Sequence, residues 1–273
     1  MDEVKHSAED GRNIRAIFCD FDWTLFDHNA GDFNRQGVLG LWEAHDRGVK
    51  LIINSARTYH SIKGLHTFDL IPFDGSVVAN GGACMIDGKT IYADFIPDAD
   101  RNAILSELDR LGLGYNLIGQ YATFIKVTNQ EYVTDFYRVF REPYPLDISL
   151  YQGESILSIQ VFSRPESDPE LSALAARYHV TFNRFADTNV EMSAKEFLKS
   201  KGVDTIYRYL NLKPEEAMAF GDDLNDIPMF NRVKYSVCMG NGKPEAKQAA
   251  YYVTDRIEEG GLYKALRHFG VID

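Results

Sequence analysis

The sequence predicts an α/β fold, a parallel sheet with helices on its faces, interrupted by an α+β insertion. Three observations carry this. Short apolar runs alternate with helical patterns near the N-terminus, the rhythm of parallel strands joined by helical crossovers. The same rhythm returns after about residue 187. Between the two stretches, strands and helices mix without that order.

In chain order, residues through Asn13 are polar and read as a disordered tail without a chemical role. Ile14 to Cys19 (IRAIFC) has the profile of a buried strand and stops abruptly at Asp20-Phe21-Asp22. Val38, Leu41, Trp42 and His45 recur at helical spacing, and Gly48 is placed to end that helix. Lys50 to Asn54 is a second strand, followed by Ser55-Ala56-Arg57 and a helix. Val77 to Ala79 is a third strand, closed by Asn80-Gly81-Gly82. The insertion carries strands at Thr123 to Thr128 and Ile156 to Phe162, with helices around Asp100 to Leu111 and Asp168 to Tyr178. Beyond it, Lys201 to Leu212 shows Val203, Ile206, Tyr207 and Leu210 at helical spacing. Met218 to Phe220 then runs into Gly221-Asp222-Asp223. Val237 to Met239 and Tyr251 to Thr254 read as further strands, with a helix around Pro244 to Ala250. The division expected is a core of residues 1–83 and 187–273 and an inserted domain of residues 84–186.

Composition narrows the function. A chain of 273 residues with 45% hydrophobic residues can bury a large core. The formal net charge of -11 repels nucleic acid and anionic membrane surfaces at long range. No apolar run approaches the ~20 residues of a membrane span. Cys19, Cys84 and Cys238 are odd in number and lack metal-ligand spacing, which suits a reduced cytoplasmic setting. The sequence does not distinguish monomer from homodimer.

In open α/β sheets, ligands bind beyond the carboxyl ends of the strands. Four polar clusters follow a strand or open a helix: Asp20 to Thr24, Ser55 to Arg57, Lys201-Gly202 and Gly221 to Asp226. The topology brings them to one edge. Asp20 can attack phosphorus as a covalent nucleophile. Asp22, two residues on, can protonate the leaving oxygen and later deprotonate water. Asp222 adds a third acid. Each like-charge pair at ~4 Å costs about 4 kcal/mol at an effective dielectric near 20. Cations must balance this site, and Mg²⁺ suits carboxylates, waters and phosphate oxygens. Lysines 195, 199 and 201 lie close together; the Gly202 neighbour and the spacing to Asp222 favour Lys201 as the second positive charge. Ser55 and the amides after the second strand can hold phosphate oxygens, much as helix N-termini do. Enzymes accelerate phosphate monoester hydrolysis by up to ~10²¹, about 29 kcal/mol, so several groups must act together.

Asp20-Phe21-Asp22-Trp23-Thr24-Leu25 resembles the first motif, DxDxT, of the haloacid dehalogenase superfamily. Ser55 resembles its second motif, Lys201-Gly202 its third, and Gly221-Asp222-Asp223-Leu224-Asn225-Asp226 its fourth, GDxxND. Order, spacing and the long insertion are similar to the Cof-type branch with a class IIB cap. The resemblance implies a Rossmann-like core and a mobile cap. It also implies Mg²⁺ held by the Asp20 and Asp222 carboxylates and the Asp22 carbonyl, with Asn225 and Asp226 ordering metal waters and the lysine. Thr24, Ser55, Ala56, Arg57, Asn80, Lys201 and Asn225 are the phosphate and substrate candidates, with Arg57 equally a surface residue and Asn80 first a turn former. Two departures stand out: Trp23 and Ala56 occupy positions where the branch usually has glycine. Tyr121, Phe124 and Tyr151 could touch substrate from the cap, though cap core is the stronger reading. The implied activity is hydrolysis of small phosphate esters, sugar phosphates foremost. The alternatives are phosphoryl transfer as in a phosphosugar mutase, or phospho-ligand binding without catalysis.

Overall fold

The computed structural model describes residues 13–273, so the expectation for the tail lies almost wholly outside the described residues. Two compact units emerge. One comprises the chain through Ala56, Phe68–Ile91 and Leu198–Asp273; the other comprises Arg57–Thr67 and Tyr92–Phe197.

The first unit is built on an eight-stranded sheet. Strands β1 (Ala16–Cys19), β4 (Lys50–Asn54), β5 (Gly75–Val78), β14 (Ala217–Gly221), β15 (Tyr235–Cys238) and β16 (Tyr252–Val253) run parallel. β6 (Ala83–Ile86) turns antiparallel against β5, and β7 (Lys89–Ala93) completes the order β16-β15-β14-β1-β4-β5-β6-β7. A hairpin of β2 (Phe26–Asp27) and β3 (Asp32–Phe33) stands after β1. Alternation along β1 shows how the faces are filled. Ile17 and Cys19 enter one cluster with Leu41 and Ala44 of α1 (Arg35–Asp46) and with Leu262, Ala265 and Leu266 of α10 (Gly261–His268). Phe18 points the other way and meets the Tyr207 ring of α7 (Lys199–Leu210), centroids 6.0 Å apart. Helices therefore cover both faces. The Asn34 side chain caps α1 by accepting from the Gly37 amide at 2.8 Å, and Gly48 adopts φ +87° just beyond its end. Helices α8 (Ile227–Phe230) and α9 (Pro244–Ala249) complete this unit.

The second unit has a sheet ordered β10-β9-β8-β11-β13-β12. Its strands are β8 (Gly114–Gly119), β9 (Thr123–Lys126), β10 (Leu146–Asp147), β11 (Ile156–Phe162), β12 (Asn183–Ala186) and β13 (Asn189–Ser193). Leu117, Ile159, Val161 and Val190 form a core with Ile104 and Leu108 of α4 (Asp98–Arg110) and Leu171 and Leu174 of α6 (Asp168–Arg177). The opposite side of β11 carries Gln160, which links Asn116 (3.0 Å) to Asn189 (2.8 Å); Val133 of α5 (Gln130–Phe140) packs there on Phe162. Helix α2 (Tyr59–Gly64) belongs to this unit, and α3 (Thr67–Leu70) stands where the chain passes back.

The expected division is corrected at both seams. β6 and β7 extend the first sheet past residue 83, and β12 pairs antiparallel with β13 across the expected 186/187 cut. β12 and β13 share one hydrogen-bond ladder and lie in one unit.

Candidate active site

The site grows from the carboxyl end of β1. Cys19 pairs in register with Phe220 of β14 and Ile53 of β4, so the residues that follow, Asp20, Gly221-Asp222 and Asn54-Ser55, reach one edge together. The Asp20 amide donates to the Phe220 carbonyl at 3.0 Å, continuing the ladder one residue past the strand. The chain then folds into a tight turn in which the Leu25 and Phe26 amides both donate to the Phe21 carbonyl at 2.9 Å. Trp23 occupies that turn with φ +59°, the left-handed conformation that glycine takes without strain. Its carbonyl accepts from Asn241 Nδ2 at 2.8 Å, and Asn241 Oδ1 in turn accepts from the Ile257 amide at 2.9 Å.

The lysine that meets Asp20 is Lys199. Its Nζ, with no solvent exposure, donates to Asp20 Oδ1 and, at 2.6 Å, to Asp226 Oδ1. The expectation for Lys201 is corrected by helix geometry. Residues advance ~100° each around a helix, so 199 shares a face with 202, 203 and 206 while 201 lies nearly opposite 199. Gly202, Val203 and Ile206 are buried, and Lys201 is exposed. Gly202 serves packing: a Cβ there would drive into the Val77 side chain of β5. The start of α7 is pinned from β4, where Asn54 Nδ2 donates to the Lys199 carbonyl at 3.1 Å.

Asp226 organises the loop after β14. Its Oδ2 accepts from the Asp222 amide at 2.8 Å and the Asp223 amide at 3.0 Å, and a Cβ on Gly221 would collide with it. With Oδ1 on Lys199, both oxygens of Asp226 are engaged. Carboxylate oxygens of Asp20, Asp222 and Asp226 all lie within 4.8 Å of one another, and all three residues are buried.

Three acids against one buried amine leave the cluster short of positive charge. Burial pushes the Asp20 carboxyl up to about 7; Lys199 opposes this, and Asp226 and Asp22 add to it. Burial likewise pushes Asp222 up to about 9, with the Asp20 and Asp226 charges reinforcing it. Burial alone would lower Lys199, but the two carboxylates outweigh it and hold the ammonium charged. An all-oxygen donor set whose members resist ionisation until a cation arrives fits a hard divalent ion. Asp20 and Asp222 are the carboxylates suited to hold one, since Asp226 is already engaged.

A haloacid dehalogenase-like hydrolase family model matches residues 17–266. The chain belongs to that family. This haloacid dehalogenase-like hydrolase is 28% identical to the HAD subclass IIB sugar phosphatase BT4131, with a TM-score of 0.74 covering 94% of this chain and 100% of that one. It is 24% identical over 264 residues to the 5-amino-6-(5-phospho-D-ribitylamino)uracil phosphatase YcsE of Bacillus subtilis, covering 94% of this chain and 96% of that protein. A Streptococcus pyogenes protein named for phosphatase and peptidyl-prolyl cis-trans isomerase activities is 24% identical over 278 residues. The match takes in 99% of this chain and 56% of that longer protein.

The remaining candidates of the hydrolase are distributed as follows. Ser55 is fully buried at the end of β4, its amide donating to the Val77 carbonyl at 2.9 Å and its carbonyl accepting from the Asn80 amide at 3.0 Å. Asn80 is half-buried at φ +54°, and Ala56 is exposed. The Thr24 hydroxyl is buried without a hydrogen-bond partner among the described residues. Asn225 is half-buried on the Asp226 loop. Arg57 belongs to the second unit, where it donates to Ser61 Oγ at 2.9 Å and pairs with Glu142 at 3.2 Å. Phe124 lies in that unit's core, its ring 5.3 Å from that of Tyr151, and Tyr121 is exposed with its ring 5.3 Å from that of Tyr59. Sequence reasoning missed His28, whose Nε2 lies 2.6 Å from Asp22 Oδ1. A single histidine in a polar turn leaves no periodic signal.

Proposed function

We propose that this hydrolase is a Mg²⁺-dependent phosphatase for small phosphate monoesters, with Asp20 as nucleophile and Asp22 as general acid and base. The observation that carries the reading is the buried Asp20–Lys199–Asp226 arrangement with Asp222 beside it at the carboxyl end of β1. In the first step an Asp20 oxygen forms a bond to phosphorus as the ester P–O bond breaks, and Asp22 gives its proton to the departing oxygen. In the second, Asp22 takes a proton from water, whose oxygen attacks phosphorus. The P–O bond to Asp20 then breaks, and inorganic phosphate leaves. Lys199 holds the attacking carboxylate in place and offsets charge on the transferred group. Mg²⁺ held by Asp20, Asp222 and the Asp22 carbonyl would supply the positive charge that two buried carboxylates and a phosphoryl group require.

Hydroxyl-rich phosphate esters are the substrate class we favour, because two relatives act on a sugar phosphate and a phosphoribityl compound. The three cysteines are free and buried, in keeping with a reducing, cytoplasmic setting. Among the described residues no helix is long and apolar enough to cross a membrane. The deciding experiment measures phosphate release from sugar, polyol and nucleoside monophosphates with Mg²⁺ and with chelator. Wild-type protein should turn over at least one class only with the metal, and Asp20→Asn should lose about 10⁴-fold or more with its circular dichroism unchanged. Full activity in Asp20→Asn rejects the covalent scheme.

A further inference from the structure

We infer that His28 is a positioning residue for the general acid: its Nε2–H donates to Asp22 Oδ1 and fixes the carboxyl group for proton delivery to the leaving oxygen. The inference rests on Asp22 having that role. The contact is short, 2.6 Å, and His28 retains only 17% side-chain exposure. The turn beneath is built to hold the imidazole still. Asp27 Oδ1 accepts from the Asn29 amide at 2.8 Å, fixing the backbone on both sides of His28. The Phe26 ring meets the imidazole edge-on at 5.2 Å, and the Trp23 ring sits against it, tilted by 39°, at 5.0 Å.

Trp23 links these contacts to the rest of the fold. At Trp23 this chain carries an indole in a left-handed backbone conformation, with its carbonyl tied to Asn241. A non-glycine residue in that conformation is strained, so compensating contacts are expected. The ring contact with His28 stands beside two backbone hydrogen bonds of Trp23, its amide donating to the Phe26 carbonyl at 2.9 Å and its carbonyl accepting from Asn241. The Trp23 turn and the His28–Asp22 hydrogen bond thus share one set of contacts.

Two variants separate positioning from general stability. His28→Phe keeps a ring between Trp23 and Phe26 but donates no hydrogen bond; His28→Gln restores an amide donor at nearly the same reach. The readout is kcat/KM for glycerol 3-phosphate, whose alkoxide leaves poorly, against 4-nitrophenyl phosphate, whose leaving group needs little protonation. General acid catalysis contributes roughly 10²–10⁴-fold. The alkyl-to-aryl ratio should therefore fall about tenfold or more in His28→Phe, through kcat rather than KM, and return most of the way in His28→Gln. If His28→Phe does not fold, His28→Asn, whose amide is too short to reach Asp22, is expected to show the same selective loss. Equal loss on both substrates, or no loss, overturns the proposal. Asp22→Asn is run alongside. If it shows no selective loss on the alkyl ester, the role of Asp22 itself fails; if it does and His28→Phe does not, only the inference about His28 fails.

Discussion

Lys199 holds a full positive charge where water does not reach, and it does so at the first turn of a helix, the end whose dipole disfavours cations. Only Asp20 and Asp226 make that position tolerable, and the dependence is mutual. Lys199→Met should therefore lower stability by about 3–5 kcal/mol near pH 8, the range seen when one partner of a buried ion pair is removed. It should also cut turnover by at least about 10²-fold. Lys201→Ala, on the exposed side of α7, should stay within about 0.5 kcal/mol of wild type. Denaturant unfolding and phosphate release on the two variants check both statements, and a reversed ranking would restore Lys201. The choice between these lysines was within reach of the sequence. Val203 and Ile206 already mark the buried face of α7, and 199 sits four and seven residues before them, whereas 201 does not align. The glycine beside Lys201 pointed to phosphate chemistry when its task is to approach Val77.

At the level of elements, that approach has an energetic consequence. Glycine inside a helix is ordinarily worse than alanine by about 1 kcal/mol. At Gly202 the order should invert, because a methyl group meets the Val77 side chain, and overpacking costs typically ~1–3 kcal/mol. Gly202→Ala is expected to lower the melting temperature and, by shifting the start of α7, to reduce turnover more than stability alone explains. A melting temperature at or above wild type would contradict this. The buried central strands were legible because each carries a mostly apolar run: Lys50–Asn54 and Ile156–Phe162 carry their predicted bounds. The β6–β7 hairpin was not, since β7 (KTIYA) is exposed to half-buried and alternates weakly. Its Asp87-Gly88 turn, with φ of +46° and +73°, was the available signal. β12 escaped for the same reason, a half-exposed edge strand with no apolar run.

For the molecule as a whole, the acidic cluster ties cation binding to protons. A carboxyl whose folded-state pKa exceeds its unfolded value, ~3.9, binds more protons folded than unfolded. The contribution of Asp20 and Asp222 to stability of the metal-free fold is therefore complete below about pH 4. It is lost as pH rises through about 7 and then about 9. A divalent ion would need both groups ionised, so its uptake would release protons, and affinity should tighten by about 10²-fold or more from about pH 6 to about pH 8. Titration calorimetry in two buffers of different ionisation heat checks this; an affinity independent of pH and of buffer would contradict it. The order of the first sheet bears on how the chain is made. β1 lies between β4, which follows within 40 residues, and β14, about 200 residues downstream. A nascent chain that has emerged through Phe197 contains every strand of the second sheet, while β1 still exposes the edge that β14 will cover. The inserted unit can thus complete its fold on the ribosome first, and Asp20 acquires Lys199, Asp222 and Asp226 only when the last quarter of the chain arrives.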